Sequence, residues 1–256
     1  MLFSLFHLLK MSIWPVVAAL GAFNVVCSCV LFFKLRVWFP FIIRLVLVSF
    51  FSFFWWKDVR VERAGGEYSV LTVDNLKLGI VLFILREVCF FSGFFWRFFH
   101  YSLSPAVECG NLWPPVRVLG VNPFSVPLLN TVVLLRRGVT VTWSHMQIIN
   151  NNNAEASLVS TLILGFYFTA LQVFEYVQCS FTIRDRVFGS IFFIATGFHG
   201  LHVIIGSLFL SVCLFRIFSY HFTCINHLGY EIAIWYWHFV DVVWLFLFSF
   251  IYWWGY

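Results

Sequence analysis

The chain has 256 residues, of which 62% are hydrophobic, 22% aromatic and only 11% charged, with a formal net charge of +5. Soluble domains carry about 25% charged residues, so a water-soluble fold is excluded. The scattered Lys and Arg form no basic cluster of the kind that grips nucleic acid. Apolar runs of about 20 residues recur along the whole length and predict an all-α polytopic membrane protein. A transmembrane barrel would alternate apolar and polar residues instead. Seven cysteines (Cys27, Cys29, Cys89, Cys109, Cys179, Cys213 and Cys224) include no Cys-x-x-Cys pair and read as small apolar fillers. The first residues, "MLFSLFHLLKMSIWP", show neither a small-residue cleavage site nor an Arg-rich bias, and no signal or transit peptide is expected. Phe accounts for 35 residues, the bias that T-rich coding DNA imposes, and organelle genomes are candidates for it.

Seven spans are predicted in chain order from apolar windows and polar breaks. They are 13–33, 38–56, 76–102, 128–149, 154–177, 187–218 and 231–252. Pro15 falls in the first turn of the first span, where its missing N–H does no harm. The segment "KDVRVERAGGEYSVLTVDNLK" after the second span holds eight charges. It suggests an organisation of 1–56 (two helices), 57–75 (polar connector) and 76–256 (a five-helix bundle). "SLSPAVECGNLWPPVRVLGVNPFSVP" is too rich in Pro and Gly to span and reads as an ordered loop. Lys and Arg divide six to five between the two faces, too even for the positive-inside rule to orient the chain. Trp55, Trp56, Trp253 and Trp254 mark span ends, as an aromatic belt would. Gly197, Gly200 and Gly206 are read as positions of close helix approach.

The residues able to carry chemistry are few. His199 and His202, in "ATGFHGLHVIIG", are three apart and share a helix face. One face of one helix cannot clamp a haem, whose two axial ligands must come from opposite sides. His238 and Asp241, in "WYWHFVDVVW", form another pair three apart, for which a His–Asp hydrogen bond is the simple reading. Hydrogen-bonded structural histidines are therefore expected, with no metal-ligand set and no catalytic residue. No Glu-x-x-His pair suggests a di-iron site, and no paired cysteines suggest copper. Glu87 lies in the middle of the third span, where a carboxylate must be protonated, paired or facing a wet cavity. Adjacent helix residues point about 100° apart, so Arg86 is not an ideal partner for it. Glu175 and Gln172, in "LQVFEY", suit interhelical hydrogen bonds near a span end. Trp56, Lys57, Arg60 and Arg63 form a basic, aromatic rim suited to lipid phosphates.

Several long segments are similar to subunit III of cytochrome c oxidase, in its mitochondrial form. They are "REVCFFSGFFWRFFHYSL" (86–103), "NPFSVPLLNT" (122–131), "TWSH" (142–145), "FTIRDRVFGSIFFIATG" (181–197), "FHGLHVIIGSLFL" (198–210) and "EIAIWYWHFVDVVWLFLF" (231–248). The resemblance implies seven transmembrane helices, two separated from five by a V-shaped cleft holding phospholipids. It implies a multi-pass protein of the mitochondrial inner membrane, a subunit of the proton-pumping oxidase of the respiratory chain. On that reading the chain carries no haem or copper; those sit in the companion subunits I and II. Its main contact is subunit I, with subunit II, accessory subunits, phospholipids and a larger respiratory supercomplex as further partners. Glu87 matches the family's membrane-embedded glutamate. Trp56, Glu62, Phe83, Arg216 and His221 match positions that line the cleft or approach head groups.

The chain departs from the family pattern in places. Val61-Glu62 stands where Arg-Glu is usual, flanked by Arg60 and Arg63, and a Gln-Gly-x-His-Thr element is missing from "ERAGGEYSVLT". Arg86, Arg97, Arg136 and Arg137 stand where small or uncharged residues are usual, and some are expected to face accessory subunits or cardiolipin. Three other readings compete: subunit III of a related quinol oxidase, an independent channel or transporter, and a membrane cytochrome using His199, His202 or His238. A transporter would need a polar path across the bilayer, and the ionisable residues here are few and spread over different spans.

Overall fold

The computed structural model describes residues 11–105, 110–115 and 118–256. Cys109, Arg117 and the leader reading at residues 1–10 lie outside them. Among the described residues there are seven long α-helices and no strand. They are α1 (Trp14–Leu35), α2 (Phe39–Ala64), α3 (Val70–Leu103), α4 (Val126–Ile149), α5 (Glu155–Gln178), α6 (Arg186–Phe218) and α7 (Leu228–Leu247). A π-helical segment, Phe248–Trp253, continues α7. Prolines open α1, α2 and α4 at the first or second helical position, where the ring presets φ and no intrahelical donor is lost.

Six helices are long and apolar enough to cross a membrane; α4 is the exception. Its 24 residues suffice, since about 20 span the hydrocarbon core. Its composition is polar because it buries Asn130, Thr131, Arg137 and Ser144 against its neighbours. The predicted boundaries hold to a few residues except around the polar connector. There α2 runs on to Ala64 and α3 begins at Val70, leaving a short break. Trp55 and Trp56 therefore sit inside α2, before its charged last turns.

The chain divides into two compact units, Met1–Leu76 and Lys77–Tyr256. In the first, α1 packs along α2, and Trp14 stacks on Phe54 with ring centroids 5.1 Å apart. Helix α2 buries no residue fully, and apolar side chains such as Phe23, Val46 and Phe53 remain exposed. Outward apolar faces of this kind suit lipid, where helices need no water-driven core.

In the second unit α4 packs on α5 and α7, and α6 packs on α5 and α7. Trp237 and Trp244 of α7 are wholly buried at its centre. The connections from α3 to α7 join successive helices head to tail, so α3 and α7 start, and α4 and α6 end, at one face of the bundle. Helix α3 meets the bundle through long side chains, with Phe90 against Phe198 and Phe91 against Phe239 at 5.1 and 6.2 Å. Trp237 lies over two glycines. A Cβ on Gly206 would meet its Cε3 at 2.9 Å, and one on Gly165 its Cη2 at 3.1 Å. A Cβ on Gly200 would meet nothing within 4 Å, so Gly200 is not a close-approach position.

These contacts separate two equally conservative substitutions. Gly206→Ala should destabilise the bundle by about 1–3 kcal/mol through overpacking against Trp237. Gly200→Ala should be neutral or stabilising by up to about 1 kcal/mol through helix propensity. Thermal unfolding of the two purified variants side by side checks the order.

Candidate functional site

Glu87 projects from the middle of α3 toward α6. Its Oε2 lies 3.1 Å from His202 Nε2, and its Oε1 accepts from Arg86 Nη2 at 2.8 Å and Nε at 3.3 Å. Arg86, not an ideal partner by helix geometry, nevertheless pairs with Glu87. The guanidinium is long enough to fold back along the helix and lies over the Phe83 ring, 4.7 Å from its centroid. His202 Nδ1 faces the Phe198 carbonyl at 2.7 Å. That oxygen can only accept, which puts a proton on Nδ1. A second proton must then lie between His202 Nε2 and Glu87 Oε2, or two lone pairs would face each other. It resides on nitrogen or on oxygen, and the heavy atoms need not move for it to change sides.

The pair opens on a groove of about 570 Å³ whose lining is almost wholly apolar, including Ile80, Phe83, Phe90, Leu201 and Ile205. Glu87 and His202 are mostly buried, with side-chain exposures of 12% and 11%, whereas Arg86 at 70% sits outside. The site thus combines a buried proton-sharing pair, an exposed cation and an oily channel beside them.

A second polar centre lies inside the bundle. Arg137 of α4 is wholly buried. Its Nε donates to Asp241 Oδ1 of α7 at 3.0 Å, and its Nη2 lies 2.9 Å from the same oxygen. The guanidinium is held between Phe168 and Trp237, at 4.7 and 4.5 Å from their centroids. Two expectations change. Arg137 does not face a partner subunit or lipid, because α7 supplies a carboxylate directly opposite. Asp241 does not hydrogen-bond His238, whose Nδ1 stays 4.0 Å from its Oδ2. His238 turns toward Thr142, 3.4 Å away. Arg97 and Arg136 are exposed, Arg97 lying over Tyr101 at 5.7 Å.

His199, one turn from His202, is buried with its Nε2 3.2 Å from the Val240 carbonyl. Near the opposite end of the bundle, Tyr252 donates to Glu175 Oε1 at 2.6 Å, and Gln172 Nε2 donates to Tyr252 at 3.3 Å. The π-helical segment carries Tyr252 into this contact. Among the head-group positions, Trp56 is exposed on α2, and Arg60, Glu62 and Arg63 are half-buried. Arg216 lies over Phe222 at 4.2 Å, and exposed His221 follows the end of α6.

The sequence reading missed two features. One is the Arg137–Asp241 pair, whose partners are separated by 104 positions and share no local signal. The other is a group of His145, His227 and Glu231, whose ligand atoms lie within 4.8 Å of one another. The i,i+4 spacing of His227 and Glu231 was visible; the arrival of His145 was not.

Comparison with known proteins agrees over nearly the whole length. The family model for cytochrome c oxidase subunit III matches residues 4–256. The chain is 51% identical to cytochrome c oxidase subunit 3 of Pisaster ochraceus over 253 residues, covering 98% of this chain and 97% of the relative. It is 49% identical to the proteins of the same name from Heterololigo bleekeri and Drosophila melanogaster. Each of those alignments also spans 253 residues and 98% of this chain, with 98% and 97% of the relatives covered.

Removing one partner of a buried ion pair strands the other charge, at a cost of about 3–5 kcal/mol. Asp241→Ala should therefore destabilise the bundle by that order, and the double variant Arg137→Met/Asp241→Leu should recover most of the loss. The unfolding midpoints of wild type and both variants in one detergent measure it.

Proposed function

The chain belongs to the cytochrome c oxidase subunit III family, and from that premise we propose that it is a non-redox core subunit of the oxidase. It is a multi-pass membrane protein and part of a multi-subunit complex; the mitochondrial inner membrane is its proposed location. The finer reading is that it supports electron transfer from cytochrome c to oxygen, and the coupled proton pumping, by stabilising subunit I and sustaining proton uptake. Haem and copper, on this reading, are held by the companion subunits.

The observation that supports the proton-related part is the Glu87–His202 pair. It places a proton between a carboxylate oxygen and an imidazole nitrogen 3.1 Å apart, with Arg86 on the other carboxylate oxygen. Desolvation makes a full charge separation costly there, and Arg86 at the rim offsets the carboxylate charge when the proton leaves. The same site supports lipid binding. An acyl chain fits the apolar groove, and the exposed Arg86 guanidinium, seated on Phe83, presents donors to a phosphate at its edge. Arg216 and His221 on the same unit, and Trp56, Arg60, Glu62 and Arg63 on the first unit, are further proposed head-group contacts.

Two experiments test this reading. Stripping the chain from the purified complex should leave all haem and copper with the remainder; metal leaving with the chain would replace the reading with a membrane cytochrome. Glu87→Gln keeps both hydrogen bonds, accepting from Arg86 and donating to His202, and removes the exchangeable proton. In the intact complex this variant should slow proton uptake and shorten catalytic lifetime with haem content unchanged. Uptake and lifetime equal to wild type would leave Glu87 a packing residue only.

A further inference from the structure

At the face of the bundle where α4 ends and α7 begins, three metal-ligating side chains converge that the proposed function does not use. His145 comes from the last turn and a half of α4. His227 precedes α7, and Glu231 lies in its first turn. We propose that His145, His227 and Glu231 form a site for a divalent transition cation of the zinc type, joining α4 to α7.

The donor set is the first argument. Two imidazoles and one carboxylate are a recognised three-ligand set for zinc, which completes its tetrahedron with water. The candidate atoms lie within 4.8 Å of one another, and His227 Nε2 is 3.9 Å from Glu231 Oε1. Ligand atoms around a tetrahedral zinc are about 3.3 Å apart, given Zn–N bonds of about 2.0–2.1 Å. Side-chain rotations of about an ångström close the difference.

The second argument is orientation. His227 Nδ1 faces the Thr223 carbonyl at 3.1 Å, which puts its proton on Nδ1 and leaves the Nε2 lone pair pointing at the group. That outer hydrogen bond is the arrangement that fixes zinc-bound histidines. His145 Nε2 is buried and has no hydrogen-bond partner among the described residues, an expense a buried polar atom normally avoids. The two imidazoles meet edge to face, 5.4 Å between centroids.

The third argument is the division of labour on Glu231. Its Oε1 faces His227, while Lys77 Nζ of α3 holds its Oε2 at 3.2 Å. A monodentate carboxylate can therefore bind the cation through one oxygen and keep Lys77 on the other. Two neutral imidazoles, one carboxylate and one ammonium sum to zero, so the Lys77 charge opposes an incoming dication. Loss of that charge should tighten the site.

The test uses the intact detergent-purified oxidase, cleared with a chelator and titrated with Zn²⁺, with retained zinc counted by elemental mass spectrometry. Wild type should hold one more exchangeable zinc per copy of this chain than His145→Gln or His227→Gln. In those variants affinity should fall by more than the roughly 10–100-fold of outer-shell changes. Lys77→Met should raise the affinity about tenfold, by removing a like charge near the cation. X-ray absorption at the zinc edge should show two imidazoles in the difference between wild type and His227→Gln. Equal zinc retention in wild type and both histidine variants overturns the proposal. Should those variants fail to assemble, Lys77→Met decides alone, and an unchanged zinc affinity overturns it.

Discussion

A hydrocarbon solvent offers buried polar groups no partner except one another, and the five-helix unit is organised around that constraint. Arg137 and Asp241 are its clearest case. Neither side chain could remain charged among Phe168, Trp237 and Leu134 alone; together they let α4 and α7 run side by side with a neutral interior. The pair also fixes Trp237. Its indole lies over the guanidinium on one side and in the space left by Gly165 and Gly206 on another. Close approach of α5 and α6 to α7 then follows from where one ion pair places one aromatic ring. Such a pair adds little net stability over a well-packed apolar substitute. What it supplies is a single register for α4 against α7, because no neighbouring position offers a second counter-charge.

The same constraint is met in different ways at different polar sites. Around Arg137, and around Glu175 with Tyr252 and Gln172, the polar groups meet one another inside the α4–α7 bundle, although Asp241 and Glu175 also border pockets of about 710 and 200 Å³. Helix α3 approaches differently. It reaches α6 and α7 through Phe90 and Phe91, and the groove beside Glu87 opens between α3 and α6 next to Phe90 and Phe198. Glu87 and His202 are thus buried from water yet adjacent to space a flexible chain can occupy.

Much of this was legible in the sequence, and the failures have a common cause. Span number and position followed from hydropathy because a bilayer sets helix length within narrow limits. The third span followed from its apolar run, and the need of Glu87 for a partner followed from the cost of a carboxyl within it. His202 was legible as one member of a polar helix face, but not as the partner of Glu87, since nothing local joins residues 115 positions apart. Arg137 was misplaced for the same reason: one residue from exposed Arg136, it differs only in the direction its position on the helix imposes. The reading of Arg86 fell short differently. Cβ directions argued against pairing with Glu87, while a guanidinium on a flexible stem reaches well beyond its Cβ direction. The polar connector was misjudged because charges at a membrane face do not end a helix; they only end its apolar part.

The interface at the α7 end extends this logic to groups that lie near water. There the bilayer no longer forces pairing, and the carboxylate of Glu231 is shared between Lys77 and the neighbourhood of His227, while His145 keeps an unpartnered nitrogen. Lys77 stands near the start of α3, the helix that carries Glu87 nearly three turns further along. Whatever draws Glu231 toward the histidines or toward Lys77 therefore acts on the seating of α3 against α7. Because α3 is held to the bundle by side chains rather than by close backbone contact, it is the helix whose seating a single ionic contact can most affect. The groove beside Glu87 is lined by the same helix. Lys77 at the polar cluster and Glu87 at the proton-sharing pair thus lie on the same loosely packed helix.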